Sequence, residues 1–284
     1  MRTIKNTVAV ITGAGSGIGR ALAQNLASRG ARLALADVNS KGLEQTRQSL
    51  GSVEARTYIV DVSKASAVEA FAHDVERDFG GAALLVNNAG VALQGSFLEI
   101  SLEDMEWLIG INFWGVVYGC RFFLPLLQKA PEAHLVNISS VFGMIGPPGQ
   151  AAYCSAKFAV RGLTEVLRQE LRLSNVKVTC VHPGGIKTSI AENARTGAGA
   201  NTALTAQMRE RFTQVARTSA EKAASVIMQG VLRDKPRVLI GADALQVDIL
   251  QRMFPAKASG IFTKAMEKRM GAEAPSLATA ARKT

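Results

Sequence analysis

The chain has 284 residues, of which 48% are hydrophobic and 20% charged, and its formal net charge is +10 at pH 7. This composition supports one large hydrophobic core, and the absence of an uncharged apolar run of about 18 residues excludes a predicted membrane span. Three widely spaced cysteines without a CxxC pair exclude a disulfide framework and a thiolate metal site, and favour a reducing cytoplasm. The positive charge is not accompanied by a dense basic run, zinc-finger spacing or basic–aromatic interleaving, so nucleic-acid binding is not predicted.

Short apolar runs alternate with longer segments of helical periodicity. The predicted strands are 7–11, 32–37, 55–60, 83–86, 134–139, 176–182 and 237–240. The predicted helices are a segment from the first glycine loop to Arg29, then 40–50, 65–79, 101–129 and 151–174. This alternation predicts an α/β fold: one domain with a doubly wound, Rossmann-like parallel sheet and helices on both faces. In such folds ligands bind at the carboxyl ends of the strands.

Two regions depart from the alternation. Residues 189–218 form an insert, predicted to be a substrate lid, with an apolar stripe at helical spacing. The stripe consists of Leu204, Met208, Phe212 and Val215. Residues 242–271 are predicted to form two amphipathic helices broken near Pro255, and 272–284 a polar, flexible tail.

The segment TGAGSGIG, residues 12–19, lies between the first predicted strand and its helix. Glycines allow a tight turn and a close approach to a pyrophosphate, whose charge the helix N-terminus favours. A glycine triplet alone is weak evidence, but here a strand precedes it, a helix follows it, and an acid ends the next strand. The predicted cofactor contacts in this loop are Gly13, Ser16, Gly17, Ile18 and Gly19.

Asp37 is the acid at the end of the second predicted strand, where its carboxylate can accept hydrogen bonds from the adenosine ribose hydroxyls. Its charge would repel a ribose 2′-phosphate, and neither Val38 nor Ser16 supplies a compensating cation. The sequence therefore predicts NAD, with NADP less favoured.

Two further segments end at the same predicted edge of the sheet. Asp61, followed by Val62, could bond the adenine amino group or cap the next helix, and the two roles are compatible. The small residues and amide of Asn88, Ala89 and Gly90 suit a backbone that lies against a ribose.

Tyr153 and Lys157 lie one turn apart, on the same face of a predicted helix. Together with TGAGSGIG and NNAG, this pair resembles the short-chain dehydrogenase/reductase family over roughly residues 5–190. The resemblance implies hydride transfer between a nicotinamide dinucleotide and a secondary alcohol or ketone.

The same resemblance assigns further residues. Ser140, preferred to Ser139 because it lies thirteen residues before Tyr153, and Asn112 match catalytic positions. The matching cofactor positions are the PG step Pro183–Gly184, followed by Ile186 and Thr188. The resemblance further implies that Asn112 holds a water that relays protons between Lys157 and solvent.

The residue types suit this chemistry. A base must accept the hydroxyl proton as the carbonyl forms, and free tyrosine, with a pKa near 10, is a poor base at neutral pH. A neighbouring Lys157 ammonium and a positive nicotinamide ring favour the phenolate, which predicts a lowered pKa for Tyr153. Ser140 would bond the substrate oxygen, and Lys157 would also hold the nicotinamide ribose.

The substrate is predicted to be a hydrophobic or cyclic alcohol or ketone. The evidence is the lid stripe and further apolar residues near the active strands, namely Leu93, Val141, Phe142, Met144 and Ile145. That the stripe only docks the lid is an equally good interpretation. No arginine is clearly placed to clamp a carboxylate, although Arg195 or Arg209 on the lid could do so.

Other residues receive structural interpretations. His73, His134 and His182 have no ligand spacing, so no metal site is predicted. The last amphipathic helix is expected to pack on protein rather than on an anionic membrane. The resemblance also implies a homotetramer or homodimer formed through the helices near 101–129 and 151–174. The alternatives are an NADPH-dependent carbonyl reductase and a non-catalytic nucleotide-sensing protein of the same fold.

Overall fold

The computed structural model describes residues 1, 3–200, 210 and 216–270. The predicted stripe of Leu204, Met208, Phe212 and Val215, together with Arg209 and the tail 272–284, lies outside the described residues. The longer strands are β1 (Val8–Thr12), β2 (Arg32–Asp37), β3 (Ala55–Ile59), β4 (Leu84–Asn87), β6 (Ala133–Ile138), β7 (Val176–Pro183) and β11 (Arg237–Ile240). Two-residue strands are β5 (Leu93–Gln94), β8 (Ile186–Lys187), β9 (Arg195–Thr196) and β10 (Thr218–Ser219).

Helices connect the strands. They are α1 (Gly17–Ala27), α2 (Ser40–Gln48), α3 (Ala65–Phe79), α4 (Leu102–Ile109), α5 (Gly115–Lys129), α6 (Ala151–Glu170), α7 (Ala220–Leu232), α8 (Ala242–Met253) and α9 (Ala258–Met270). A π-helical turn, Gly110–Trp114, joins α4 to α5, and a 3-10 turn, Val141–Gly143, follows β6.

The longer strands form one seven-stranded sheet in the order β11-β7-β6-β4-β1-β2-β3, with every pair parallel. Strand β1 pairs with β2 on one side and with β4 on the other, so the chain reverses its winding direction between β1 and β4. That reversal opens a crevice at the carboxyl ends of the strands. The predicted doubly wound, single-domain α/β fold is therefore confirmed.

Strand β1 shows how the sheet is buried on both faces. Ala9 and Ile11 pack into one core layer, and Val8 and Val10 pack into the other. Because side chains alternate across a strand, a strand between two helical layers needs apolar residues at every position. This is why the strands read as continuous apolar runs.

The helical segment 102–129 follows the predicted bounds but contains the π turn. It is 28 residues long, with a mean hydropathy of 1.3 over its most apolar window, so length and composition alone would allow it to cross a membrane. Phe123 is nevertheless fully buried, and its ring contacts that of Phe71 on α3 edge-on at 5.3 Å. This packing makes the segment a helix of the protein core.

The predicted helix 151–174 is wrong at its end, because α6 stops at Glu170. The Ser174 hydroxyl donates to Leu171 O at 2.8 Å and accepts from Val176 N at 3.1 Å. These bonds close a tight turn that brings the chain into β7. Such local bonds from serine compete with the helical pattern.

Helices α8 and α9 confirm the two predicted helices on either side of Pro255. Their apolar residues Val247, Ala258 and Phe262 pack with Met144 and Ile145, which follow the 3-10 turn. The carboxyl-terminal helices therefore cover the chain directly after Ser140.

Candidate active site

The glycine loop closes against the loop after β4. Gly13 and Gly17 have positive φ angles of 67° and 50°, which glycine adopts without strain. A Cβ on Gly13 would lie 2.7 Å from Ala89 Cα, and one on Gly19 would lie 2.1 Å from Gly13 O. The cradle can form only without side chains at these positions, which is the property that a pyrophosphate site needs.

Thr12 and Asn88 fix these two loops together. The Thr12 hydroxyl accepts from the N–H groups of Asn88 and Ala89 at 3.0 and 3.1 Å, and the Asn88 amide donates to Thr12 O and Gly13 O. Thr12 was not among the predicted site residues. Its role depends on the pairing of β1 with β4, which no local pattern in the sequence reveals.

Asp37 lies at the glycine loop, as predicted. One carboxylate oxygen accepts from Gly15 N at 2.9 Å and the other from Asn39 N at 3.0 Å. Carboxylate oxygens accept more than one hydrogen bond, so Asp37 can still accept from ribose hydroxyls. Val38 beside it is 65% exposed and carries no charge.

Arg20 is a cation at the same loop that sequence reasoning missed. Its guanidinium donates to Gly15 O, to Thr46 Oγ1 at 3.0 Å and to Gln45 Oε1 at 3.1 Å. These partners direct the guanidinium to the loop backbone and to α2. Arg20 therefore braces the cradle through Nε and Nη2.

The PG step lies across the crevice from the glycine loop. Pro183 ends β7, and Gly184 N donates to Ile240 O at 2.9 Å. Thr188 follows the buried Ile186 by two residues. A Cβ added to Gly17 would lie 3.1 Å from the methyl carbon of Thr188. The predicted residues of both loops therefore face one another, and the small size of Gly17 keeps them close.

Asp61, Val62 and Ile18 have partners within the protein. Asp61 Oδ1 accepts from the backbone and hydroxyl of Ser63 at 3.0 and 2.7 Å. The predicted helix cap is wrong, because α3 begins only at Ala65 and the Asp61 side chain closes the preceding turn instead. The Val62 side chain packs against Gly115, where an added Cβ would lie only 2.8 Å from Val62 Cγ2. Ile18 packs on the core.

The predicted catalytic residues converge at the ends of β6 and α6. Lys157 is 3% exposed, and its Nζ donates to Ile138 O at 3.0 Å and lies 5.7 Å from the centroid of the Tyr153 ring. The Ser140 side chain lies beside the Tyr153 phenol and opposes the rise of its pKa. The helical spacing therefore places the phenol and the ammonium in one environment, as the pair predicts.

Ser139 and Ser140 have distinct roles. The Ser139 hydroxyl is buried and donates to Lys157 O at 2.8 Å, which fastens α6 to the end of β6. The Ser140 hydroxyl accepts from Phe142 N at 3.1 Å, so its own proton remains available for donation. The geometry supports the choice of Ser140 made from its spacing to Tyr153.

Burial has the largest effect on the pKa values of Tyr153 and Lys157. Desolvation raises the pKa of Tyr153 to about 12, and the hydrogen bond from Ser140 opposes it only in part. Burial also lowers the pKa of Lys157 to about 8. The lowered tyrosine pKa expected from the residue pair is therefore wrong for the chain by itself, because the desolvation of the phenolate outweighs the hydrogen bond from Ser140.

Asn112 is fully buried in the π turn. Its Oδ1 accepts from Val91 N at 2.8 Å, and its Nδ2 donates to Val91 O at 2.9 Å. A Cβ on Gly90 would lie 3.2 Å from Asn112 Oδ1 and 3.6 Å from Lys157 Nζ. Asn112 is therefore beside Lys157, and its amide holds the loop that follows β4.

Aromatic side chains form one wall beside Tyr153. The Phe142 ring meets the Tyr153 ring edge-on at 6.3 Å, and the Phe262 ring meets the Phe142 ring at 6.2 Å. Phe262 lies on α9, so the carboxyl-terminal helices contribute to this wall. Among the residues that the structure describes, no group of three or more His, Cys, Asp or Glu could hold a metal ion.

Arg195 does not face this wall as a free cation. Its guanidinium lies 3.8 Å from the centroid of the Trp107 ring and forms an ion pair with Asp104 at 2.9 Å. The possible role of Arg195 as a carboxylate clamp is therefore not supported, since Asp104 already neutralises it.

The crevice and its glycine cradle are typical of the dinucleotide-binding class of α/β proteins, and Ser140, Tyr153 and Lys157 lie together beside them. A family model described as short chain dehydrogenase matches residues 7–199. The chain belongs to the short-chain dehydrogenase/reductase family and is an oxidoreductase.

Individual relatives agree with this assignment. The chain is 46% identical over 258 residues to SadH of Mycobacterium tuberculosis, which is named as an oxidoreductase, covering 89% of this chain and 92% of the relative. It is 28% identical over 261 residues to estradiol 17-beta-dehydrogenase 11 of Pongo abelii, covering 90% and 82%. A short-chain dehydrogenase/reductase from Burkholderia phymatum, solved in complex with NAD, superposes with a TM-score of 0.79 at 31% identity, covering 97% of this chain and 99% of that one.

Proposed function

We propose that the protein is an NAD-dependent dehydrogenase or reductase that interconverts a hydrophobic or cyclic secondary alcohol and its ketone. The observation that carries this proposal is the convergence of Ser140 and Lys157 on the Tyr153 phenol. The bound dinucleotide supplies the hydride acceptor or donor. Asn112, Ser140, Tyr153 and Lys157 are the proposed catalytic residues.

Each catalytic group has a task that follows from its contacts. Ser140 donates to the substrate oxygen and stabilises the charge that develops there. Tyr153 gives its proton to that oxygen in ketone reduction and takes a proton back in alcohol oxidation. Lys157 holds the nicotinamide ribose and favours the phenolate by its charge. The phenol of the chain alone is protonated at neutral pH, so it is ready to act as the acid.

The preference for NAD is proposed from Asp37 and its surroundings. Its carboxylate faces the loop at Gly15, and the nearby Arg20 guanidinium already donates to protein acceptors. A ribose 2′-phosphate would meet the negative charge of the Asp37 carboxylate there. The NAD-bound relative from Burkholderia phymatum is consistent with this choice.

The apolar substrate is proposed from the wall of Phe142 and Phe262 together with Met144 and Ile145, which pack behind it. Such a surface gains free energy by covering apolar area, at about 25 cal/mol per Å². A polyol would lose hydration there without finding partners.

The test is a panel of alcohols and ketones followed by nicotinamide absorbance with NAD(H) and NADP(H). Wild-type protein should turn over apolar substrates with NAD, whereas Tyr153→Phe should lose about 100- to 10,000-fold in kcat with its NADH affinity retained. Tyr118→Phe is the matched control, because Tyr118 lies in the first turn of α5, where its ring stacks on that of Trp114. Near-normal turnover by Tyr153→Phe, or a preference for polar polyols or for NADP, would contradict the corresponding part of the proposal.

We further propose a homotetramer or homodimer. Trp114, Phe158 and Val166 are 47%, 42% and 55% exposed along the helical segments predicted to form the subunit contact. Light scattering should give a mass of two or four chains, and Val166→Asp should lower it; a monomeric wild-type protein would refute the proposal. We also propose a cytoplasmic location, because Cys120, Cys154 and Cys180 are free thiols and a reducing compartment keeps thiols free. Cell fractionation tests this location.

A further inference from the structure

His182 is the penultimate residue of β7, has no exposed surface and lies directly beside Ser140. Its Nδ1 lies 2.9 Å from Ser140 O, and a carbonyl can only accept, so Nδ1 carries the proton. Gly143 N donates to the same carbonyl at 3.0 Å. Two donors therefore fix the peptide group of Ser140.

The other ring nitrogen of His182, Nε2, is buried without a partner among the described residues. A buried imidazole that uses only one of its nitrogens costs free energy relative to an apolar residue. The single bond to Ser140 O is therefore the contact that distinguishes a histidine from leucine or valine at this position.

We infer that His182 is a positioning residue, which holds the Ser140 peptide so that the Ser140 hydroxyl points at the Tyr153 phenol and the substrate oxygen. This inference rests on the proposed function. The charged groups around the ring are Arg161 on α6, Arg237 on β11 and Asp248 on α8, and Arg237 is paired with Asp248 at 2.7 Å. Burial lowers the pKa of His182 to about 4, so the ring is a neutral donor whose task is geometric.

His134 provides a matched control within the same sheet. It is also fully buried, and its Nε2 lies 2.7 Å from Thr179 Oγ1. The Thr179 hydroxyl proton is donated to Lys235 O at 2.7 Å, so His134 Nε2 must be the donor. His134 and His182 therefore have opposite tautomers, and His134 lies at the amino end of β6, away from the crevice.

The opposite tautomers allow crossed substitutions. The side-chain nitrogen of asparagine lies at the same distance from Cβ as Nδ1, whereas that of glutamine extends to the position of Nε2. His182→Asn should retain wild-type kcat within about threefold, while His182→Gln and His182→Leu should lose about 5- to 50-fold with KM for NADH unchanged. All His134 variants should keep wild-type kcat, with His134→Gln the least destabilised in thermal unfolding.

Nitrogen-15 NMR of histidine-labelled wild-type protein tests the bond without any turnover. It should show His182 protonated at Nδ1 and His134 protonated at Nε2 near neutral pH. The inference is overturned if His182 carries its proton on Nε2, or if an active, folded His182→Leu matches wild-type kcat. A protein with the predicted tautomers that turns over no alcohol or ketone would refute the proposed function and leave the Ser140 contact standing.

Discussion

Lowering the pH should destabilise this protein through its two buried histidines before its carboxylates begin to titrate. Burial lowers the pKa of His134 to about 3 and that of His182 to about 4, from an ordinary value of 6.5. Both rings are neutral in the folded chain, and in the unfolded chain both take up a proton below pH 6.5. Their contribution to stability is therefore fully present above that pH and is lost as the pH falls from 6.5 towards the folded values.

The magnitude follows from the two shifts. Between pH 6.5 and the folded pKa, each unit by which the pH falls lowers the free energy of unfolding by about 1.4 kcal/mol per histidine. At about pH 5, which lies about 1.5 units below 6.5, each ring lowers the free energy of unfolding by about 2 kcal/mol, and the pair lowers it by about 4 kcal/mol. Since single domains are stable by only about 5–15 kcal/mol, this loss is a large fraction of the total.

The assay is urea unfolding at about pH 7.5 and about pH 5 and constant ionic strength, followed by the fluorescence of Trp107 and Trp114. The double variant His134→Gln, His182→Asn keeps the native donors but cannot titrate, so its free energy of unfolding should change about 4 kcal/mol less between the two pH values than that of wild type. His73→Asn, at an exposed position on α3, should behave as wild type. A wild-type loss below about 1 kcal/mol would refute the desolvation argument, and so would an equal loss in the double variant.

Three further outcomes are expected from the site. Lys157→Ala should raise the Kd for NADH and lower kcat, and an unchanged Kd in fluorescence titration would count against its ribose role. Asp37→Ser should narrow the preference for NAD over NADP by about tenfold or more, measured as the ratio of kcat/KM values; an unaltered ratio would show that the carboxylate does not face the ribose. Gly19→Ala should abolish cofactor binding, because its Cβ would lie 2.1 Å from Gly13 O, whereas Gly162→Ala, with no atom within 4 Å, should bind normally and gain about 0.5–1 kcal/mol in helix stability. Equal cofactor affinity in the two alanine variants would contradict the cradle.

The sequence predicted those parts of the site whose residues are close together along the chain. The glycine loop and the Tyr153–Lys157 pair are local patterns, since each belongs to one turn or one helix, and the alternation of strands and helices sets the edge at which they meet. The position of Asp37 was predicted in the same way, because the end of a strand is visible as the end of an apolar run.

The parts that were missed depend on strand register. Thr12 meets the Asn88 loop only because β1 and β4 pair, and His182 meets Ser140 only because β6 and β7 pair. The π turn at Asn112 was hidden for a related reason. The helical period continues through it, and only the backbone bonds, such as that from Gly115 N to Gly110 O, show that the helix winds differently there.

Different parts of this structure determine the class of reaction and the choice of substrate. Three bonds to main-chain carbonyls fix the backbone around the site. Lys157 to Ile138 and Ser139 to Lys157 hold α6 at the end of β6, and His182 to Ser140 holds β7 against the chain that follows β6. Carbonyl positions follow the backbone, so the fold itself holds the phenol, ammonium and hydroxyl together, and a short motif is enough to predict the chemistry. The substrate wall is made of side chains such as Phe142 and Phe262, which come from distant segments and could change without disturbing that frame. The reaction can therefore be inferred from sequence patterns, whereas the substrate has to be determined by measuring how this wall selects among apolar ketones.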